Sequence, residues 1–163
     1  MPLRASHLLI VALLAACSGC AEPAIEQEPV YSVTGKILVR GKPATGAIVC
    51  FHPRRESPSA SLRSHGEVAA DGTFDLTTYV KADGARESEY VVTLFWPDVP
   101  TASRSEDEES SEVPPDRLKG RFANQQTSIL RAAVGSAPVE FEPIDLESPE
   151  LKQSSEFQLR PKS

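Results

Sequence analysis

A chain of 163 residues has room for one domain of ordinary size plus tails, and its 40% apolar content supplies a core, a thin one given only 6% aromatic residues. Seventeen basic and 23 acidic residues leave a formal charge of −6, and no Lys/Arg cluster is dense enough to track a phosphate backbone, so no nucleic-acid partner is expected. Fourteen prolines argue against long helices, because each removes an amide donor and clashes with the preceding turn.

Residues 1–16 carry one firm positive charge at Arg4, an apolar run at 8–14 and two small alanines, the three-part shape of a secretory signal peptide. The run falls short of the ~20 residues that cross a bilayer. Behind it stands CSGC, residues 17–20, in a Cys-x-x-Cys spacing. A redox pair would need a strand-to-helix context that depresses a thiol pKa, and a zinc site would need a second ligand pair, whereas only Cys50 remains. LAAC at residues 14–17, a Leu, two small residues and a Cys, resembles the lipobox of bacterial lipoproteins. A register on Cys20 fits less well, since it would put Cys17 where the box has Leu. The resemblance implies cleavage between Ala16 and Cys17 and a diacylglyceryl thioether, with acyl chains of the palmitate class, on Cys17. Two or three acyl chains hold a protein on a membrane far more firmly than one. The mature chain would keep 163 − 16 = 147 residues, and loss of Arg4 would take the charge to −7. Residues 17–29, polar and punctuated by Pro23 and Pro29, read as the anchor and its tether.

From residue 30 onward short alternating runs are separated by turn residues. Residues 31–39 read as a first strand and 46–51 as a second, a hairpin turning at Arg40-Gly41-Lys42-Pro43 and ending at His52-Pro53. The Ser-, Pro- and Arg-rich stretch 54–64 reads as a loop. Strands at 66–69 and 73–79 flank Asp71-Gly72, a strong hairpin signal. Residues 89–96, EYVVTLFW, form the most β-prone run and are expected in the centre of a sheet, stopped by Pro97. Residues 98–115 hold SEDEESSE and read as a disordered, solvated loop. Strands at 128–134 and 156–160 follow. About seven short strands and no βαβ unit predict an all-β, antiparallel sandwich or barrel.

Alternation puts Val33, Ile37 and Val39 on one face, then Ala47, Val49 and Phe51, then Phe74 and Leu76, then Tyr90, Val92, Leu94 and Trp96, and last Phe157 and Leu159; these are the expected core. Cys50 should point the other way.

Two segments, GKILVRGKPATGAIVCF at 35–51 and ADGTFDLTTYVKADGARESEYVVTLFWP at 70–97, resemble the carboxypeptidase regulatory-like domain. Residues 116–134 are similar to the carboxy-terminal part of bacterial lipoproteins built on it. The resemblance implies a single seven-stranded Greek-key sandwich of the transthyretin (prealbumin) type over residues 30–163. It departs from the family pattern at Ser88, where a Gly is expected two positions before Tyr90. The enzymatic branch of the transthyretin group, which hydrolyses hydroxyisourate, is recognised by a Tyr-Arg-Gly-Ser terminus that this chain lacks.

His52 and His65, the histidines left after cleavage, read as plain surface residues, with no nucleophile elbow to serve. Asp71-Gly72 and Asp83-Gly84 lack the spaced acids of a calcium loop and read as turns. No catalytic, cofactor or metal residues are assigned. The expected function is a membrane-anchored extracytoplasmic lipoprotein of the cell envelope, facing the periplasm or exterior and acting as a non-enzymatic structural or interaction module. Its contact surfaces would be loops at one end of the sandwich, 54–64 and the acidic loop among them. The alternative is a carbohydrate- or peptide-binding accessory protein of an envelope hydrolase, with Tyr79, Phe95 and Phe122 as an exposed aromatic platform.

Overall fold

The computed structural model describes residues 27–54, 62–98 and 114–163. Ala16, Cys17 and Cys20, with most of the two expected loops at 54–64 and 98–115, lie outside the described residues. Among the described residues, twelve strands and one short helix follow in order. They are β1 (Val30–Tyr31), β2 (Val33–Val39), β3 (Lys42–Pro43), β4 (Ile48–Pro53), β5 (Ser64–Glu67), β6 (Thr73–Asp75) and β7 (Ala85–Arg86). Then come β8 (Ser88–Phe95), β9 (Leu130–Val134), β10 (Val139–Glu140), β11 (Ile144–Asp145), α1 (Pro149–Gln153) and β12 (Phe157–Gln158).

β2 is the spine of the first sheet. Its alternation buries Val33 and Ile37 and leaves their neighbours half-buried. Along one edge the carbonyls of Ser32, Thr34 and Leu38 accept from the amides of Val139, Phe141 and Leu146, which lays β10 and β11 parallel to β2. Along the other edge β6 and β3 pair antiparallel with it. The second sheet runs β12-β9-β8-β4-β5, with β8 in its centre as the sequence predicts. The sheets meet at a corner where His65 and Thr77 exchange both backbone hydrogen bonds, at 2.9 and 2.7 Å.

The core lies between the sheets. Phe51 of the second sheet packs its ring 6.5 Å from Phe74 and 6.2 Å from Phe141 of the first, and 5.5 Å from its own neighbour Tyr90. The expected core holds, with Val39, Trp96 and Phe157 at its half-buried margin. It also takes in Phe122, Phe141, Ile144, Leu146 and Leu151, which alternation does not flag because they sit in turns, two-residue strands and a helix.

Three expectations are corrected. Residues 31–39 and 46–51 do not form a hairpin. Arg40 and Gly41, at φ 54° and 74°, make a two-residue turn that returns only as far as Lys42 and Pro43, and β4 then crosses to the second sheet. The sheets are mixed rather than antiparallel, since β10, β11 and β12 add parallel to their neighbours. The predicted strand 73–79 stops at Asp75, because the Thr78, Tyr79 and Val80 amides turn in to the Asp83 carboxylate. At Ser88 the backbone is ordinary and β8 begins there, so the strand needs no glycine at that position.

Candidate functional site

The feet of the 54–64 and 98–115 segments leave the second sheet at opposite ends. β4 and β8 run antiparallel, with Pro53 beside Tyr90 and Ile48 beside Phe95. Residues after Pro53 therefore depart where β8 starts, and residues after Phe95 depart where β4 starts. The two segments were expected as neighbours at one end, but their feet are separated by the length of the sheet, ~17 Å along the paired strands.

The acidic segment has a fastened base. The Asp98 amide donates to the Pro115 carbonyl at 2.8 Å, Pro97 and Asp116 form a β-bridge, and Arg117 Nε meets Asp98 Oδ1 at 2.9 Å. Asp116 accepts from the amides of Trp96 and Leu118 through Oδ1 and of Gly120 through Oδ2. The Arg117 guanidinium lies 5.0 Å over the Trp96 ring, whose Nε1 donates to the Thr45 carbonyl. An acidic stretch of this composition repels itself, so holding its two feet together requires such a clamp.

The opposite end is where the chain enters the domain. Val30 pairs with Arg86, and the buried Arg86 side chain reaches Glu28 at 3.0 Å and the Leu62 carbonyl at 3.1 Å. Glu28, expected in the tether, is thus fastened to the domain. Tyr90 donates its hydroxyl to the Arg86 carbonyl at 2.7 Å, and burial pushes its pKa up to about 12.

On the outer face of the second sheet Cys50 stands opposite Thr93 and His65, with its back to the core as alternation predicts. It is a free thiol whose pKa is raised by burial, which Arg63 only partly offsets. His65 is exposed, as expected. His52 is not a surface residue. It is 8% exposed, and its Nε2 shares a 2.8 Å hydrogen bond with Oγ1 of Thr93, itself 7% exposed. Burial, with Arg63 second, lowers its pKa and favours the neutral ring. A neutral imidazole beside a hydroxyl could in principle withdraw its proton. Here the pair is nearly sealed from water and satisfies two polar groups within a sheet. Among the described residues no group of three His, Cys, Asp or Glu side chains is placed to hold a metal ion.

Of the three aromatic platform candidates, Phe122 is fully buried under Arg121, while Tyr79 and Phe95 are half-buried. The platform loses one member to the core.

Sequence reasoning missed three anchoring residues: Asp116, Asp145 and Arg86. Asp145 holds the β2–β3 turn, accepting from the amides of Arg40 and Glu147 through Oδ1 and of Gly41 through Oδ2. The helix after it was not expected, although Ser148-Pro149-Glu150 signals its start: Ser148 caps Leu151 and proline suits the first helical position. The Arg86–Glu28 pair spans 58 residues and leaves no local signal.

Asp83 and Asp145 make the fold acid-sensitive. Burial raises each carboxyl pKa, but the surrounding backbone amides outweigh it, and both end below the ordinary value. The unfolded chain therefore binds protons first. Their stabilisation is complete above about pH 4 and is lost as pH falls through the folded values. Thermal unfolding followed by circular dichroism should show the midpoint dropping below that pH. Asp145→Ala, which strands three amides, should cost about 1–3 kcal/mol at pH 7 and flatten the acid dependence. An unchanged acid profile in Asp145→Ala would show that the carboxylate does not hold the turn.

Comparison with protein-family models gives no match, and comparisons with curated proteins and with solved structures give none either.

Proposed function

We propose that this protein is a lipid-anchored protein of a bacterial cell envelope, carrying one transthyretin-like Greek-key sandwich as a non-enzymatic interaction module. The observation that carries the reading is LAAC at residues 14–17 behind a short apolar run, 11 residues ahead of Glu28, where the chain is fastened to the domain. Two facing sheets with a shared core support the sandwich, and their fastened loop bases support a role in contact with partners. Loops on a rigid frame are the usual seat of recognition. The reading requires no cofactor, and its partners are the membrane and an envelope protein or glycan.

The test is processing in a bacterial host with the chain's own leader. A clickable palmitate analogue should label the wild type, and mass spectrometry should find the mature chain starting at a modified Cys17. Cys17→Ser should lose the label, keep residues 1–16 and leave the membrane-anchored pool of mature protein. Normal cleavage and labelling of Cys17→Ser would refute the assignment.

A further inference from the structure

On the outer face of the second sheet one buried imidazole is set beside a cation with no anion to answer it. His52 is the last residue but one of β4, and its Nε2 lies 2.8 Å from Oγ1 of Thr93 on β8, both residues being almost sealed from water. The β4–β5 register, carried one step past Phe51 and Ser64, sets Arg63 across from it. In the other direction Val91 of β8 stands opposite His52, and Arg131 of β9 stands opposite Val91. The carboxylates of that face are engaged or further along: Glu89 pairs with Arg54, Glu156 pairs with Arg131, and Glu67 lies beside Ile48. Cys50 and exposed His65 occupy the next row. Arg131 is thus compensated, whereas Arg63 has no ion pair among the described residues. We propose that the His52 end of β4 is an acid-operated latch, closed while the ring is neutral and released from β8 when the ring takes up a proton.

The tie sits close to where the strand ends. Beyond His52 the chain donates to β8 once more, from the Arg54 amide to the Glu89 carbonyl at 2.9 Å. Strand ends open before strand centres. A charged imidazole needs water or a carboxylate, and at this place it has neither; the Thr93 hydroxyl supplies a dipole and no charge. Burial first and Arg63 second therefore hold the ring's pKa below its ordinary 6.5. An opened strand end hydrates the ring and binds the proton more tightly, so acid draws the population toward the open form. The closed form is accordingly favoured in full above pH 6.5 and loses ground as pH falls through the folded value. This window lies above the one near pH 4 in which Asp83 and Asp145 act.

The experiment follows the imidazole proton resonances of the full-length protein through a pH titration. The His52 signal is identified by its loss in His52→Gln or, should that variant not fold, by elimination with His7→Gln and His65→Gln. It should titrate below 6.5, and Arg63→Gln, a change at an exposed position, should move it upward. Hydrogen–deuterium exchange at about pH 7.5 and about pH 5, corrected for intrinsic rates, reads the latch itself. Protection of the β4 amides should fall by at least about threefold in the wild type, by less in Arg63→Gln and not at all in His52→Gln, whose neutral amide can keep the bond to Thr93. A His52 titration at or above 6.5, or wild-type β4 protection that is the same at both pH values, overturns the latch. An equal loss of protection in His52→Gln assigns the opening to another group and overturns it as well. Where His52→Gln does not fold, Arg63→Gln decides, and a His52 titration and β4 exchange both unmoved by that change count against the proposal.

Discussion

Gly84→Ala is expected to unfold the domain or to cost roughly 4 kcal/mol or more, the range reserved for severe backbone conflicts. Gly84 has φ +99°, and a Cβ there would stand 1.8 Å from the Tyr31 carbonyl oxygen and 2.4 Å from its carbon. Neither atom can yield. Tyr31 is locked in β1 against Ala85 of β7, and the Gly84 amide donates to the Leu76 carbonyl at 2.8 Å. The added methyl must therefore part β1 from β7, and with them the Arg86–Glu28 contact that fastens the chain's entry. Gly120→Ala is the control, because its φ is +74° but nothing lies within 4 Å of the added carbon. It should cost only about 1–2 kcal/mol, the penalty of a left-handed residue with a side chain. Urea unfolding of both variants decides the matter. Equal losses would show that the approach of Tyr31 to Gly84 is not present in solution.

Phe51→Ala is expected to lose about 3–5 kcal/mol, as large-to-small changes of buried phenylalanines do. Domain stabilities lie around 5–15 kcal/mol, so about a fifth of the total or more would go. Phe51 is fully buried and its ring is the meeting point of Phe74, Tyr90 and Phe141. The midpoint of urea unfolding should fall with an unchanged slope. A double-mutant cycle with Phe141→Ala should show a coupling of about 0.5–1.5 kcal/mol, the usual worth of an aromatic pair beyond its buried area. Additive losses would mean that residue 141 does not pack against the second sheet. The cycle matters because Phe141 belongs to the C-terminal stretch that closes the first sheet.

These two sites differ in how far sequence could reach them. Phe51 was legible, since Val49 and Phe51 alternate with Cys50 in a β-prone run and such runs bury one face. Asp83-Gly84 was legible as a turn, but the reason for the glycine is the Tyr31 carbonyl, more than fifty residues away. The same limit applies to His52. Its place beside a proline suggested a surface residue, and only the pairing of β4 with β8 brings Thr93 within 2.8 Å. Composition sets 54–64 and 98–115 apart from the strands, yet the placement of their feet at opposite ends follows from the antiparallel register of two strands separated by thirty-four residues, Ile48–Pro53 and Ser88–Phe95.

By itself the sequence determined the all-β class, the central strand and most of the core, because period-two alternation and turn residues act within a few neighbours along the chain. It also carries the LAAC box, on which the proposed anchor depends. The tertiary structure alone decided that the first two strands part company, that residues 139–146 run parallel along β2, and that the chain's entry and the feet of the acidic segment lie at opposite poles. Each of these depends on which edge a strand finds unpaired once the rest has packed. That is a property of the whole fold, and no local pattern encodes it.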